Sequence, residues 1–134
     1  MLRKNKSVKK LTTSSLRIIG GQWKRRTISF IAVEDLRPTP DRVRETLFNW
    51  LQFEIQGQRC LDAFAGSGAL GLEALSRGAA ECVFMEKHSS QAKQLQQTLI
   101  DLGKPTPVLV GDTLLLLSQQ KTAFDVVFLD PPYA

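Results

Sequence analysis

Asp130-Pro131-Pro132-Tyr133, close to the end of this 134-residue chain, combines the residue types best suited to holding an exocyclic amine. Such an amine is a poor nucleophile because its lone pair is delocalised into the base. A carboxylate at Asp130 and the Pro131 carbonyl can accept both amine hydrogens and aim the nitrogen at an electrophilic methyl group. Two prolines fix φ and hold the acceptors still, and Tyr133 can stack on a base swung out of its helix. Catalysis of this kind is chiefly positioning. In isolation the same four residues can also be no more than a turn that ends a strand.

A second stretch supplies a place for the methyl donor. Cys60-Leu61-Asp62-Ala63-Phe64-Ala65 runs apolar into Gly66-Ser67-Gly68 and on into a helix-forming segment. Strand, glycine loop and helix bring a nucleotide-like cofactor to the edge of an α/β sheet. Gly66 to Gly71 reads as G-x-G-x-x-G with Glu86 twenty positions beyond Gly66, as a dinucleotide site would show. Asp62 argues against that reading, since a carboxylate ahead of the loop repels a pyrophosphate at the helix N-terminus. It suits a cofactor with a cationic end, such as the ammonium and sulfonium of S-adenosylmethionine. Glu86 is placed to accept from ribose hydroxyls, or to pair with Lys87 at the surface. Asp112 can accept from an adenine amino group, cap the next helix, or do both. Phe64, Ser67, Lys87 and Thr113, in the same loops, complete the candidate cofactor set. With a single histidine, His88, and no clustered cysteines, no metal site is expected.

The elements that must position these residues alternate in type. Apolar runs at residues 59–64, 82–85, 107–110 and 124–129 read as strands, the last fully buried. Helices are expected from Ala69 to Arg77, over 88–102 and over 113–120. This alternation predicts a doubly wound, mostly parallel sheet. Its four strands deliver Asp62, Glu86, Asp112 and Asp130 at or beside their C-terminal ends, where they converge on one crevice.

Ahead of the sheet, β-rich runs at Leu16-Arg17-Ile18-Ile19 and residues 27–33 flank Gly20-Gly21 and Trp23-Lys24-Arg25-Arg26. An aromatic among cations can stack on a base and hold phosphates; alternatively Trp23 simply packs on the body. Thr39 suits an N-cap and Pro40 the first helical position. Val43, Leu47, Trp50 and Leu51 mark one buried face of the helix that follows. Arg17, Arg37, Arg42 and Arg44 complete the basic candidates for substrate contact, and each can equally form a surface ion pair.

Charge is divided unevenly along the chain. Residues 1–44 carry twelve Lys/Arg against three acids, and residues 45–134 six against ten. A basic front half on an acidic site suggests a polyanionic substrate, nucleic acid above all. No apolar run approaches the ~20 residues of a membrane span, and the basic start lacks the apolar core of a secretory signal. Cys60 and Cys82 both lie in strand-like runs, and the default is buried, reduced thiols in the cytoplasm.

The chain resembles the bacterial 16S rRNA guanine-N2 methyltransferases from Leu16 to Tyr133. The resemblance is carried by Arg17 to Trp23, Leu36-Arg37-Pro38-Thr39, Arg42 to Leu51, Phe64 to Arg77, and Asp130 to Tyr133. It implies a Rossmann-like class I methyltransferase fold with S-adenosylmethionine as donor. It also implies a small N-terminal β element for rRNA, a small-ribosomal-subunit substrate, and a cytoplasmic enzyme that is monomeric when full length. Asp62, Gly66, Gly68, Glu86 and Asp112 match the family's cofactor positions, and Asp130 to Tyr133 its catalytic tetrapeptide. Members of the family continue to a seven-stranded sheet, so a C-terminally truncated piece, inactive alone, is expected. The expected organisation is a disordered basic arm (1–15), an RNA-contacting β element (16–38) and an incomplete methyltransferase domain (39–134). A DNA adenine-N6 methyltransferase, a non-catalytic RNA-binding remnant and an NAD-linked oxidoreductase are the competing functions.

Overall fold

The computed structural model describes residues 12–32 and 38–131. Two strands, β1 (Thr12–Arg17) and β2 (Thr27–Ala32), form an antiparallel hairpin in which Leu16 pairs with Ile28. Strand β1 takes in residues 12–15, which were expected to belong to the basic arm; the rest of that arm lies outside the described residues. Helix α1 (Asp41–Trp50) follows. Then come β3 (Arg59–Asp62), α2 (Ala69–Ser76), β4 (Glu81–Glu86), α3 (Ser89–Asp101), β5 (Val108–Val110), α4 (Thr113–Ser118) and β6 (Val126–Phe128).

The last four strands form one parallel sheet in the order β5-β4-β3-β6. Because side chains alternate along a strand, Cys60, Cys82, Phe84 and Phe128 share one face. They pack there with Phe48, Leu72, Leu75, Leu95 and Leu99. Leu61, Ala63, Val83 and Met85 point to the other face, against Leu116 and Leu117 of α4. Cys60 and Cys82 are register partners, both free and buried, and burial pushes the Cys60 thiol up to about 11.

Helix α2 lies so close to β4 that a Cβ at Gly71 would stand 2.2 Å from a Phe84 ring carbon. Only glycine permits that approach, and every residue from Ala69 to Ser76 is buried. The hairpin docks on α2 and α3 by burying Leu16, Ile18, Trp23, Ile28 and Phe30 in the same core, and by hydrogen bonds. The Gln91 side chain both accepts from the Ile31 amide (2.9 Å) and donates to its carbonyl (2.8 Å).

Three expectations need correction. On α1 the buried residues are Arg44 and Phe48, whereas Val43 is 50% and Trp50 76% exposed. Leu47 and Leu51 are only half-buried, so the inward face is turned by about one position from the one marked by apolar spacing alone. Strand β6 sits at the sheet margin and is not fully buried, with Val127 and the following Leu129 exposed. Thr39 does not cap α1: Pro40 occupies that position without a side-chain bond.

Candidate active site

The four parallel strands end on the same side of the sheet, and their register sets the heights of the acids. Asp62, the last residue of β3, pairs with Phe84 of β4 and Phe128 of β6. Glu86 and Asp130 each lie two residues beyond those partners and therefore on the same face, about 7 Å further along. Glu86 pairs with Val110, so Asp112 stands two residues further again, two strands away from Asp62.

Asp62 is buried and accepts a 2.9 Å hydrogen bond from the Gly71 amide. Burial pushes its carboxyl up to about 7; the Gly71 amide opposes the shift, and the charges of Asp130 and Glu86 add to it. Both of those acids are thus close enough to be felt at Asp62. Glu86, also buried, accepts from the Gly66 amide at 2.7 Å and from the His88 amide at 2.8 Å, one on each oxygen. The glycine loop is thereby tied to the end of β4. Gly66 (φ 53°) and Gly68 (φ 86°) take left-handed conformations there that favour glycine. Ser67 is buried, its Oγ 3.3 Å from the Ala69 amide, and Phe64 is half-buried against the Leu61 cluster.

Asp112, just beyond β5, is set apart from this group, while Thr113 reaches it. Asp112 is exposed and caps α4, accepting from the Leu115 amide at 3.1 Å. Thr113 is buried and donates to the Ala63 carbonyl at 2.6 Å, which locks the start of α4 to the end of β3. Lys87 is exposed and forms no ion pair with Glu86. Asp130 is exposed and accepts a 2.8 Å hydrogen bond from the Thr39 hydroxyl. Pro131 is half-buried; Pro132, Tyr133 and Arg37 lie outside the described residues.

Among the described residues no ion pair involves Asp62, Glu86, Asp112 or Asp130. No group of three or more His, Cys, Asp or Glu is placed to hold a metal ion. Among the described residues this sheet edge thus holds acids without an ion-pair partner, which suits a cationic donor and opposes a pyrophosphate.

The basic candidates divide into two groups. Arg17, Lys24, Arg25, Arg26 and Arg42 are exposed. Arg25 holds a positive φ of 73° in the hairpin turn, a conformation uncommon outside glycine, asparagine and aspartate. Trp23 and Arg44 face inward, which corrects their expected role as substrate contacts. Trp23 is 7% exposed, and its amide donates to Ser76 Oγ at 2.9 Å. Arg44 is 1% exposed and pairs with Asp41, the Arg17 and Thr39 carbonyls, and Glu73.

Glu73, which sequence reasoning passed over, is completely buried on α2. It bonds Arg44 (3.2 Å) and Arg77 (2.8 Å) and accepts from the amides of Ile19 (3.0 Å) and Gly20 (2.8 Å). The signal was present: it is the one acid in an otherwise apolar and small-residue helix, where burial demands cationic partners.

A parallel sheet whose strands alternate with helices, with a glycine loop after β3, defines a Rossmann-like α/β protein. Residues 16–134 match the family model described as Conserved hypothetical protein 95, and the chain belongs to that family. It is 47% identical over 122 residues to the ribosomal RNA small subunit methyltransferase D of Escherichia coli K12, covering 90% of this chain and 62% of that protein. The Haemophilus influenzae protein of the same name is 48% identical, with 88% and 64% covered. Among solved structures, the yhhF protein of Escherichia coli superposes with a TM-score of 0.80 at 48% identity, covering 90% of this chain and 67% of that one. The chain thus spans just under two thirds of the length of those two curated relatives. The family resemblance drawn from the sequence is borne out.

Proposed function

We propose that the protein transfers a methyl group from S-adenosylmethionine to the exocyclic N2 of a guanine in the 16S rRNA of the small ribosomal subunit. The observation that carries this reading is the meeting of Asp62, Glu86 and Asp130 at one sheet edge, beside a left-handed glycine loop and with no cation among the described residues to neutralise them. Donor-set chemistry supports the cofactor: an acidic crevice fits its ammonium and sulfonium. When bound, the donor supplies an electrophilic methyl group. Glu86, already tied to the loop by the Gly66 amide, keeps lone pairs free for ribose hydroxyls. Asp62 counters positive charge from a buried position. Asp130 and the Pro131 carbonyl accept the amine hydrogens and aim the nitrogen, and Tyr133 stacks on the base.

The choice of rRNA is supported by the names of the relatives and by the exposed cations of the hairpin. Arg25 in a left-handed turn position is of particular interest there, because such strain concentrates at functional sites. The expected setting is the cytoplasm, where small subunits mature. Incubating a chain of the curated relatives' full length that carries these residues with labelled S-adenosylmethionine and either unmodified small subunits or duplex DNA tests the reading. Label on a guanine N2 of 16S rRNA supports it. Label on DNA adenine, or retention of NADH in place of the methyl donor, overturns it.

A further inference from the structure

The Thr39 hydroxyl, expected at a helix cap, is instead spent on the carboxylate of Asp130, ninety-one residues away. Thr39 stands between Pro38 and Pro40. The helical region is disfavoured for a residue before proline, and Thr39 stays outside α1, beside Asp130. Its carbonyl is held at 3.1 Å by Nε of the buried Arg44, whose other contacts reach the Arg17 carbonyl of β1 and Glu73 of α2. The backbone of Thr39 is thus clamped from behind. A β-branched side chain has few χ1 choices, so the clamp also directs the hydroxyl.

We infer that Thr39 is a positioning residue for methyl transfer: by donating to Oδ2 of Asp130 it fixes the carboxylate's orientation and leaves Oδ1 to receive the substrate amine. The inference rests on the reading of Asp130 as the amine-orienting acid. The bond is solvent-exposed, so its loss acts on orientation far more than on folding. In an in-line transfer the amine nitrogen bonds to the methyl carbon as the carbon–sulfur bond breaks. The electron pair stays on sulfur as the thioether, and the nitrogen sheds its extra proton to water. A poorly aimed acceptor lowers that rate without weakening binding.

The experiment compares, in the same full-length chain, Thr39→Val, which keeps the shape and removes the donor, with Thr39→Ser and with Asp130→Asn, alone and combined with Thr39→Val. With saturating small subunits, Thr39→Val is expected to lower kcat about tenfold while KM for RNA and donor affinity change less than about twofold. Thr39→Ser recovers most of the rate. Adding Thr39→Val to Asp130→Asn costs nothing further, because the two act as one unit. A Thr39→Val enzyme with unchanged kcat, or losses that multiply in the double variant, overturns the inference. Undiminished transfer by Asp130→Asn fails the underlying reading of Asp130 and takes the inference with it.

A second measurement is independent of turnover. The side-chain vicinal couplings of Asp130, read by NMR, should report a single rotamer in the parent and in Thr39→Ser, and averaging in Thr39→Val. Identical couplings in all three overturn the inference.

Discussion

Helix α2 touches two buried carboxylates within one turn, its own Glu73 and, through the Gly71 amide, Asp62 of β3, and they are treated in opposite ways. At Glu73 the buried charge meets two arginines and two backbone amides. At the sheet edge Asp62 has one amide, from Gly71, and two further acids for company. The first arrangement is complete and holds the hairpin, α1 and α2 together. The second has no cationic partner among the described residues, and the proposed donor would supply one. Burial alone therefore does not distinguish a structural acid from a functional one; the partners do.

The comparison breaks most forcefully at Glu73. Glu73→Ala leaves Arg44 buried without its partner and the Ile19 and Gly20 amides without their acceptor. Removing one side of a buried pair costs ~3–5 kcal/mol, and urea denaturation should show a loss of that size. A loss below ~1 kcal/mol would mean that the cluster is solvated in solution and that the contrast drawn here is wrong.

Asp62 should respond in the opposite sense. Its carboxyl is raised from 3.8 to about 7 in the fold, so the folded state binds a proton that the unfolded state has released. Stability from this group is full below about pH 4, falls as pH rises towards 7, and is flat above. Asp62→Asn keeps an oxygen for the Gly71 amide and removes the penalty. It is expected to raise stability at pH 8 by ~2–4 kcal/mol and to flatten the pH profile. Donor affinity should fall in the same variant. In the parent, affinity should climb between pH 5 and 7 as the carboxylate forms, with proton release on binding visible by calorimetry in buffers of different ionisation enthalpy. A stabilised Asn variant that binds the donor as tightly as the parent would remove Asp62 from the site.

Gly71 joins the two groups, since its amide reaches Asp62 and Glu73 lies half a turn further along the helix. Gly71→Ala sets a Cβ 2.2 Å from the Phe84 ring and 2.9 Å from Cys82 Sγ. Overpacking of this kind costs ~1–3 kcal/mol. Because α2 must move away from β4, both donor binding and hairpin docking should weaken together. If only one of them changes, the helix does not couple the two groups.

What was legible in the sequence follows the same division. Strand–loop–helix alternation, the glycine loop and the acids at strand ends are local patterns, and Asp62, Glu86 and Asp130 were recognisable from them. Gly71's role in close packing was also readable, because a glycine inside a helix demands a reason. The inward face of α1 was not. Val43 and Trp50 fit an apolar period and yet are exposed, while Arg44 is buried because its partner Glu73 sits twenty-nine residues away. Thr39 was misassigned for a related reason: capping is the local use of a hydroxyl, and the bond to Asp130 exists only once the sheet has formed. Trp23 sits among cations in the sequence but is buried in the main core, its amide bonded to Ser76 Oγ, another long-range contact.

The smallest stability effect belongs to the cations that neither group employs. Lys24, Arg25 and Arg26 are exposed in the hairpin turn, and none of them forms an ion pair among the described residues. Replacing Lys24 and Arg26 by alanine should change folding stability by less than ~0.5 kcal/mol, as for other surface sites. If these side chains neutralise rRNA phosphates, each one removed should reduce the salt dependence of RNA binding by ~0.7–0.9 in log–log slope. Donor binding at the acidic edge should be untouched, since that crevice recruits positive charge while the hairpin offers it. Salt titration of RNA binding by the parent and the double variant, with donor affinity measured alongside, separates the two surfaces. A slope that stays the same would leave Lys24 and Arg26 as part of a solvated turn and would move the expected RNA contact to Arg17, Arg42 and the other cations of residues 1–44.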